Sequence, residues 1–158
     1  MKKLLILSFL IMIILYSCTN TQSTQLSDEQ KASIEQEVQD LYQDIVSKLS
    51  LLDMDVWSEP WSKDKLICIN SGANYFDNFS EFKDSVTYWF SLRESQNVKL
   101  KQVNTKVFEE NLVLMTSIAN WNINFKDGNN MNVDALGTLL WKKEDSGWKI
   151  ILLHESWQ

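Results

Sequence analysis

The chain has 158 residues, a formal net charge of −6, two cysteines and a single histidine. The negative charge argues against a nucleic-acid partner, which requires clustered Lys and Arg. One histidine and two cysteines are too few for a zinc or copper centre, and four glycines are too few for a phosphate-binding loop, so we expect no metal and no cofactor.

The first residues, MKKLLILSFLIMIILYSC, are typical of an export signal. Lys2 and Lys3 precede an apolar stretch, residues 4–16, that is shorter than the roughly 20 residues needed to span a bilayer. Its end, LYSC, resembles the lipobox of bacterial lipoproteins, in which the chain is cut before a lipid-modified cysteine. We predict a signal peptide at residues 1–17, with an ordinary signal peptide and a chance cysteine as the alternative.

In the lipoprotein interpretation, Cys18 is lipidated, and the polar residues 18–27 form a tether between the lipid and one domain, residues 28–158. We then expect a protein bound to the bacterial cell envelope through its lipid. Thr19 stands where enterobacterial inner-membrane lipoproteins carry a retaining Asp, which favours the outer membrane. Cys68, in the apolar segment KLICIN, is predicted to be an inert buried thiol.

Helices are predicted for the first half of the domain. Ser27 begins a capping box with Gln30, and apolar residues at helical spacing follow to about residue 51. Asp53 caps a short helix that Pro60 ends, KLICIN is a strand, and residues 78–95 form another helix.

Four long strands are predicted for the second half, at residues 98–110, 112–125, 131–143 and 148–157. Helices followed by a run of antiparallel strands indicate an α+β fold. A three-residue loop at 127–129 makes Ala119 face Gly137, and a turn at Asp145-Ser146 makes Gly137 face His154. His154 is then predicted on the inner face, with Asp134 and Glu155 on the outer one.

The segments ANWNINFKDG, GTLLWKKEDSGWKI and the final HES resemble the NTF2-like superfamily, in particular its SnoaL-like and DUF4440-type branch. The same ending occurs in the association domain of calmodulin-dependent kinases. The resemblance implies a cone in which a strongly curved, mainly antiparallel sheet packs around the N-terminal helices, with a pocket at the open end. It places Trp121, Leu139 and His154 on the pocket wall. The kinase domain carries arginines at the positions of Trp121 and Leu139, so their absence here disfavours a carboxylate ligand.

We therefore predict a pocket for a small apolar or aromatic molecule, lined by residues Trp57, Trp61, Tyr75, Trp89, Trp121, Leu139 and His154. The alternative is a cofactor-free isomerase, dehydratase or cyclase in which His154 is the catalytic base and a helix tyrosine (Tyr42, Tyr75 or Tyr88) assists. A histidine bonded only to backbone, and large aromatics that only fill the core, remain possible.

The outer face of the sheet suggests a third function, that of a non-catalytic scaffold. Its C-terminal half is predicted to expose apolar residues, namely Leu136, Leu140, Ile151, Leu153 and Trp157, which favours a homodimer through this face or contact with another envelope protein.

Overall fold

The computed structural model describes residues 25–70 and 74–158, and the predicted signal peptide and Cys18 lie outside them. The helices are α1 (Asp28–Lys48, extended by a 3₁₀ turn, Leu49–Leu51), α2 (Met54–Trp57) and α3 (Phe79–Ser91), and the strands are β1 (Ile67–Asn70), β2 (Asn74–Phe76), β3 (Arg93–Glu109), β4 (Leu112–Phe125), β5 (Asn130–Glu144) and β6 (Gly147–Trp157). This order confirms the α+β prediction. The short strand β2 was not predicted, and β3 begins inside the segment predicted to end the third helix.

Each helix begins directly after the residue whose side chain caps it. The Ser27 hydroxyl accepts from the Gln30 amide at 3.1 Å, and the Gln30 side chain accepts from the Ser27 amide at 2.9 Å, so the predicted capping box is confirmed. Asp53 caps α2 as predicted, and Asn78 caps α3. These bonds satisfy amides that have no partner within the helix.

The six strands form one curled sheet in the order β2-β1-β6-β5-β4-β3, in which β1 and β6 are parallel and the other neighbours are antiparallel. The inner face of the sheet packs against the helices around fully buried side chains, including Phe82, Met115, Ile123, Trp141 and Ile150. Burial of these large groups supplies the main driving force for folding.

The hairpin between β4 and β5 keeps the predicted faces but not the predicted pairs. The Phe125 amide donates to the Asn129 carbonyl at 2.8 Å, so the loop comprises residues 126–128. Gly128 occupies its bulge position with a φ of 89°, a conformation that suits glycine. Ala119 consequently pairs with Ala135, two residues before the predicted Gly137. Because a shift of two preserves alternation, Ala119 still points inward.

Strand β6 contains a β-bulge that the sequence did not predict. Trp141 pairs with Ile150, as predicted, but the next pair is Leu140 with Leu152, which leaves Ile151 without a partner on β5. A bulge of this kind bends a strand and increases its twist, as a sheet curled around helices requires. One unpaired residue also moves every later side chain of the strand to the opposite face.

The bulge overturns the predicted orientation of the C-terminal residues. Gly137 pairs with Glu155, so Glu155 points inward, while His154 lies exposed on the outer face. Leu153 and Trp157, predicted to lie outside, are also on the inner face.

Helix α1 runs antiparallel to β3, which places its C-terminal end at the start of that strand. The Gln39 side chain donates to the Thr105 hydroxyl at 2.9 Å, and further along the helix the Leu49 carbonyl accepts from the Gln96 side chain. The C-terminal half of α1 therefore lies at the end of the domain where β3 begins.

Candidate functional site

A cavity of about 310 Å³ opens at this end of the domain. Its walls come from the C-terminal half of α1, from α2 and α3, and from the inner face of the sheet. The lining residues include Tyr42, Trp57, Trp61, Phe82, Trp89, Phe90, Arg93, Ser117, Trp121, Ala135, Gly137, Leu139, Glu155 and Trp157. The volume is at the lower end of the range for small-molecule sites, so it suits a compact ligand.

Aromatic rings form the helical wall of the cavity. The ring centroids of Trp57 and Trp61 are 4.8 Å apart, those of Trp61 and Phe82 are 4.9 Å apart, and Phe90 lies 6.1 Å from Trp57. The Trp61 indole donates to the Trp57 carbonyl at 3.1 Å, but the buried Nε1 of Trp57 has no partner within the described residues. The cluster is mostly apolar, and one of its indole donors is buried without an acceptor among the described residues.

The sheet contributes a second pair of indoles. Trp121 on β4 and Trp157 on β6 have ring centroids 5.1 Å apart. Trp157 donates from Nε1 to the Glu155 carboxyl at 3.0 Å. The inward turn of β6 after the bulge therefore brings an aromatic ring and an acid together at the cavity.

Glu155 is the one acidic residue among the described residues that line the cavity. Burial raises the pKa of its carboxyl from 4.5 to about 7, although the Trp157 hydrogen bond and the charge of Arg93 both lower it. Desolvation dominates because a carboxylate loses its water shell in an apolar cavity. Near neutral pH this group both gains and loses a proton readily, which is the property expected of a general acid or base.

Arg93 is the one basic residue in the same lining set, and it is 9% exposed. Its guanidinium carbon lies 5.7 Å from the centre of the Phe90 ring and 6.0 Å from that of Trp121, and it donates to the Gln96 side chain. Burial lowers the pKa of Arg93, partly offset by the charge of Glu155. Ring faces stabilise a desolvated cation, but they do not replace a counter-ion.

Tyr42 and Ser117 form a hydrogen bond across the cavity wall, with 2.8 Å between their hydroxyl oxygens. Burial raises the pKa of Tyr42 to about 12, the Ser117 bond lowers it, and the negative charge of Glu155 raises it further. Tyr42 therefore stays protonated, and either hydroxyl of the pair can be the donor. Gly137, the partner of Ser117 on β5, leaves room for this bond, because a Cβ there would lie 3.0 Å from the Ser117 hydroxyl.

Five of the seven residues predicted to bind a ligand line the cavity: Trp57, Trp61, Trp89, Trp121 and Leu139. Tyr75 lies on the short edge strand β2, is 58% exposed and is not among the lining residues. His154 is also absent from the wall, because the bulge turns it to the outer face. The prediction that His154 lies in the cavity is therefore wrong.

Sequence reasoning missed Arg93 and Glu155. Arg93 fell in the segment predicted as the end of the third helix, whereas it is the first residue of β3. Glu155 was assigned to the outer face by uninterrupted alternation. The sequence did contain a signal for the bulge. One extra residue after Ile150 turns the apolar side chain of Trp157 to the inner face and the polar side chain of His154 to the outer face.

Within residues 25–70 and 74–158, no group of three or more His, Cys, Asp or Glu is arranged to hold a metal ion. In the same residues, no helix is long and apolar enough to cross a membrane.

Comparison with known families and structures gives a consistent result. The family model for the SnoaL-like domain matches residues 38–158, and no curated protein matches the chain. Among solved structures, an NTF2-like superfamily protein from Salmonella enterica serovar Typhimurium LT2 superposes with a TM-score of 0.73 at 14% identity, covering 79% of this chain and 91% of that one.

Two further structures share the fold. The hexachlorocyclohexane dehydrochlorinase LinA-type3 from Novosphingobium barchaimii LL02 has a TM-score of 0.69 at 15% identity, covering 84% of this chain and 91% of that one. The association domain of C. elegans CaMKII has a TM-score of 0.67 at 11% identity, covering 82% and 99%. At these identities the likeness establishes the NTF2-like fold alone.

Proposed function

Because this chain belongs to the SnoaL-like family of the NTF2-like fold, we propose that it binds a small, mainly apolar or aromatic molecule in its cavity. The observation that carries the proposal is the aromatic wall around a cavity of about 310 Å³. Trp57 and Trp157, the half-buried indoles of the lining, offer flat apolar surface to a ring-containing ligand.

The test is a titration of the protein with compact aromatic probes, followed by tryptophan fluorescence and calorimetry. Ala135→Phe places a ring in the cavity and is expected to abolish binding, because Ala135 lines the cavity and is 3% exposed. Asn132→Phe, on the exposed face of the same strand, is the matched control. If no probe binds the folded wild-type protein, or if both variants bind like it, the proposal is wrong.

A second candidate function is cofactor-free proton transfer, as in an isomerase, dehydratase or cyclase, with Glu155 rather than His154 as the base. The pKa of about 7 at Glu155 and the protonated hydroxyl of Tyr42 at the same cavity favour it. Hydrogen–deuterium exchange at the carbon next to a probe's carbonyl is the assay. We expect Glu155→Gln to abolish exchange and His154→Gln to leave it unchanged. Loss of exchange in the histidine variant alone would reject this role of Glu155.

The scaffold alternative depends on the outer sheet face, which we propose is the interface of a homodimer. Ile67 and Ile69 on β1 are each 39% exposed, and their partners on β6 are Leu152 and His154. Light scattering after gel filtration tests this assembly. Ile69→Glu is expected to yield monomers, whereas Asn122→Glu on the polar half of the same face is the control. A monomeric wild-type protein would contradict the proposal.

We also propose that Cys18 carries a lipid that anchors the protein in the bacterial envelope, at the outer membrane. The support is the order of Lys2 and Lys3, the apolar residues 4–16, and Cys18. Labelling with a fatty-acid analogue followed by membrane fractionation is the test. Cys18→Ser is expected to lose both the label and membrane association, and an unlabelled wild-type protein would contradict the anchor.

A further inference from the structure

One basic and one acidic side chain, Arg93 and Glu155, line the cavity. Each influences the charge of the other, as the opposing effects on their pKa values show. Yet within the described residues they form no ion pair with each other. Each group is held elsewhere, Arg93 by Gln96 and the aromatic rings, Glu155 by Trp157.

The guanidinium of Arg93 is under-satisfied in its surroundings. Its Nε is buried and has no hydrogen-bond partner, and its one side-chain acceptor among the described residues is the neutral amide of Gln96. A buried cation is costly unless an anion balances it. Glu155 supplies that balance only when ionised, and its own burial opposes ionisation.

The other polar side chains of the lining, Tyr42, Asn70, Asn74 and Ser117, carry no charge, since Tyr42 stays protonated beside Ser117. When Glu155 is protonated, it adds a donor and leaves Arg93 as the net charge of the cavity. The site is then electrically balanced by one singly charged anion, and not by a cation or a dianion.

We propose that the cavity takes a compact aromatic monocarboxylate, whose carboxylate lies between Arg93 and Glu155, and that Glu155 takes up one proton from solvent when the ligand binds. The planar fork of a guanidinium matches a carboxylate, and a protonated carboxyl donates to the same group. The aromatic wall holds the ring. This inference rests on the proposed function. It reverses the expectation that a carboxylate ligand is disfavoured because residues 121 and 139 are not arginines.

The experiment compares 2-naphthoate with its neutral isostere 2-naphthamide, using calorimetry and fluorescence between pH 5.5 and 8.5. Carboxylic acids of this kind are ionised throughout that range. Because only the protonated form of Glu155 accommodates the anion, we expect naphthoate affinity to fall about tenfold between pH 6 and pH 8. Naphthamide affinity should change little. Calorimetry in two buffers of different ionisation enthalpy should show proton uptake with naphthoate alone.

Variants separate the two side chains. Glu155→Gln mimics the protonated acid, so it should bind naphthoate at high pH as well as at low pH. Arg93→Gln should lower naphthoate affinity by roughly 10- to 100-fold and spare naphthamide. Arg93→Lys, which keeps the charge, is the alternative if that variant does not fold. His154→Gln is the control, because this side chain neighbours Glu155 in sequence but lies on the outer face of the sheet.

Two results overturn the inference while the proposed function survives: equal affinity for both probes, or naphthoate binding that does not change with pH in the wild-type protein. Persistence of the pH dependence in Glu155→Gln, or its loss in His154→Gln, also overturns it. If neither probe binds, both the inference and the proposed function fail.

Discussion

Replacement of Glu155 by glutamine should make the protein more stable at neutral pH. The pKa of this carboxyl is 4.5 in its ordinary state and about 7 in the folded protein. One unit corresponds to about 1.4 kcal/mol, so folding with an ionised Glu155 costs about 3 kcal/mol relative to folding with the protonated acid. The unfolded chain releases this proton first, so stability is full below pH 4.5, falls as the pH rises to 7, and levels off above it. Glutamine remains neutral at every pH in this range, so the variant does not lose this stability.

The measurement is the free energy of unfolding in urea at intervals between pH 4 and pH 8.5, for the wild-type protein and for Glu155→Gln. The difference between the two curves isolates Glu155, because the other carboxylates contribute to both. It should grow by about 3 kcal/mol across this range in favour of the variant. Both proteins should carry His154→Gln, which removes the only histidine. A difference that stays constant with pH would refute the claim that Glu155 is desolvated in the cavity.

Three other results are expected. Removal of the Ser27 hydroxyl in Ser27→Ala breaks the capping box and should lower the free energy of unfolding by about 1 kcal/mol, whereas Ser33→Ala on the exposed side of the same helix should not. Tyr42→Phe and Ser117→Ala should each cost about 1 kcal/mol and be coupled in a double-mutant cycle, while additive effects would mean that their 2.8 Å hydrogen bond adds no stability. Cys68 is fully buried, and burial and the charge of Glu155 raise the pKa of its thiol to about 12. It should therefore react with a thiol reagent only as fast as the protein opens. A rapid reaction that is absent in Cys68→Ala would contradict its burial.

The elements that the sequence predicted correctly are those set by local chemistry. Ser27 and Asp53 cap their helices because a side-chain oxygen and a free amide are adjacent in sequence. The strand at residues 112–125 was predicted with its observed bounds, because turn residues flank it at 110–111 and at 127–129. Strand β2 was missed because three residues carry too little periodicity to be recognised.

The aromatic part of the cavity was also accessible from sequence. Trp57 and Trp61 flank the short second helix, and Trp121 keeps its inward face even though its partner on β5 differs from the predicted one. A two-residue error in hairpin register changes neighbours without changing faces. The aromatic wall therefore survived an incorrect pairing.

The polar half of the cavity depended on tertiary structure. Residues 150–153 are four consecutive apolar residues, so the hydrophobic pattern allows either alternate set of side chains to face inward. It therefore does not determine which of the residues after 153 point into the cavity. The choice is made by the bulge at Ile151, through which β6 bends with the sheet around the helices. That one residue turns His154 to the outer face and brings Glu155 to the cavity. The sequence by itself determined the order of the helices and long strands and the place of Trp57, Trp61 and Trp121 in the aromatic wall, while only the curvature of the assembled sheet decided which ionisable group faces a ligand.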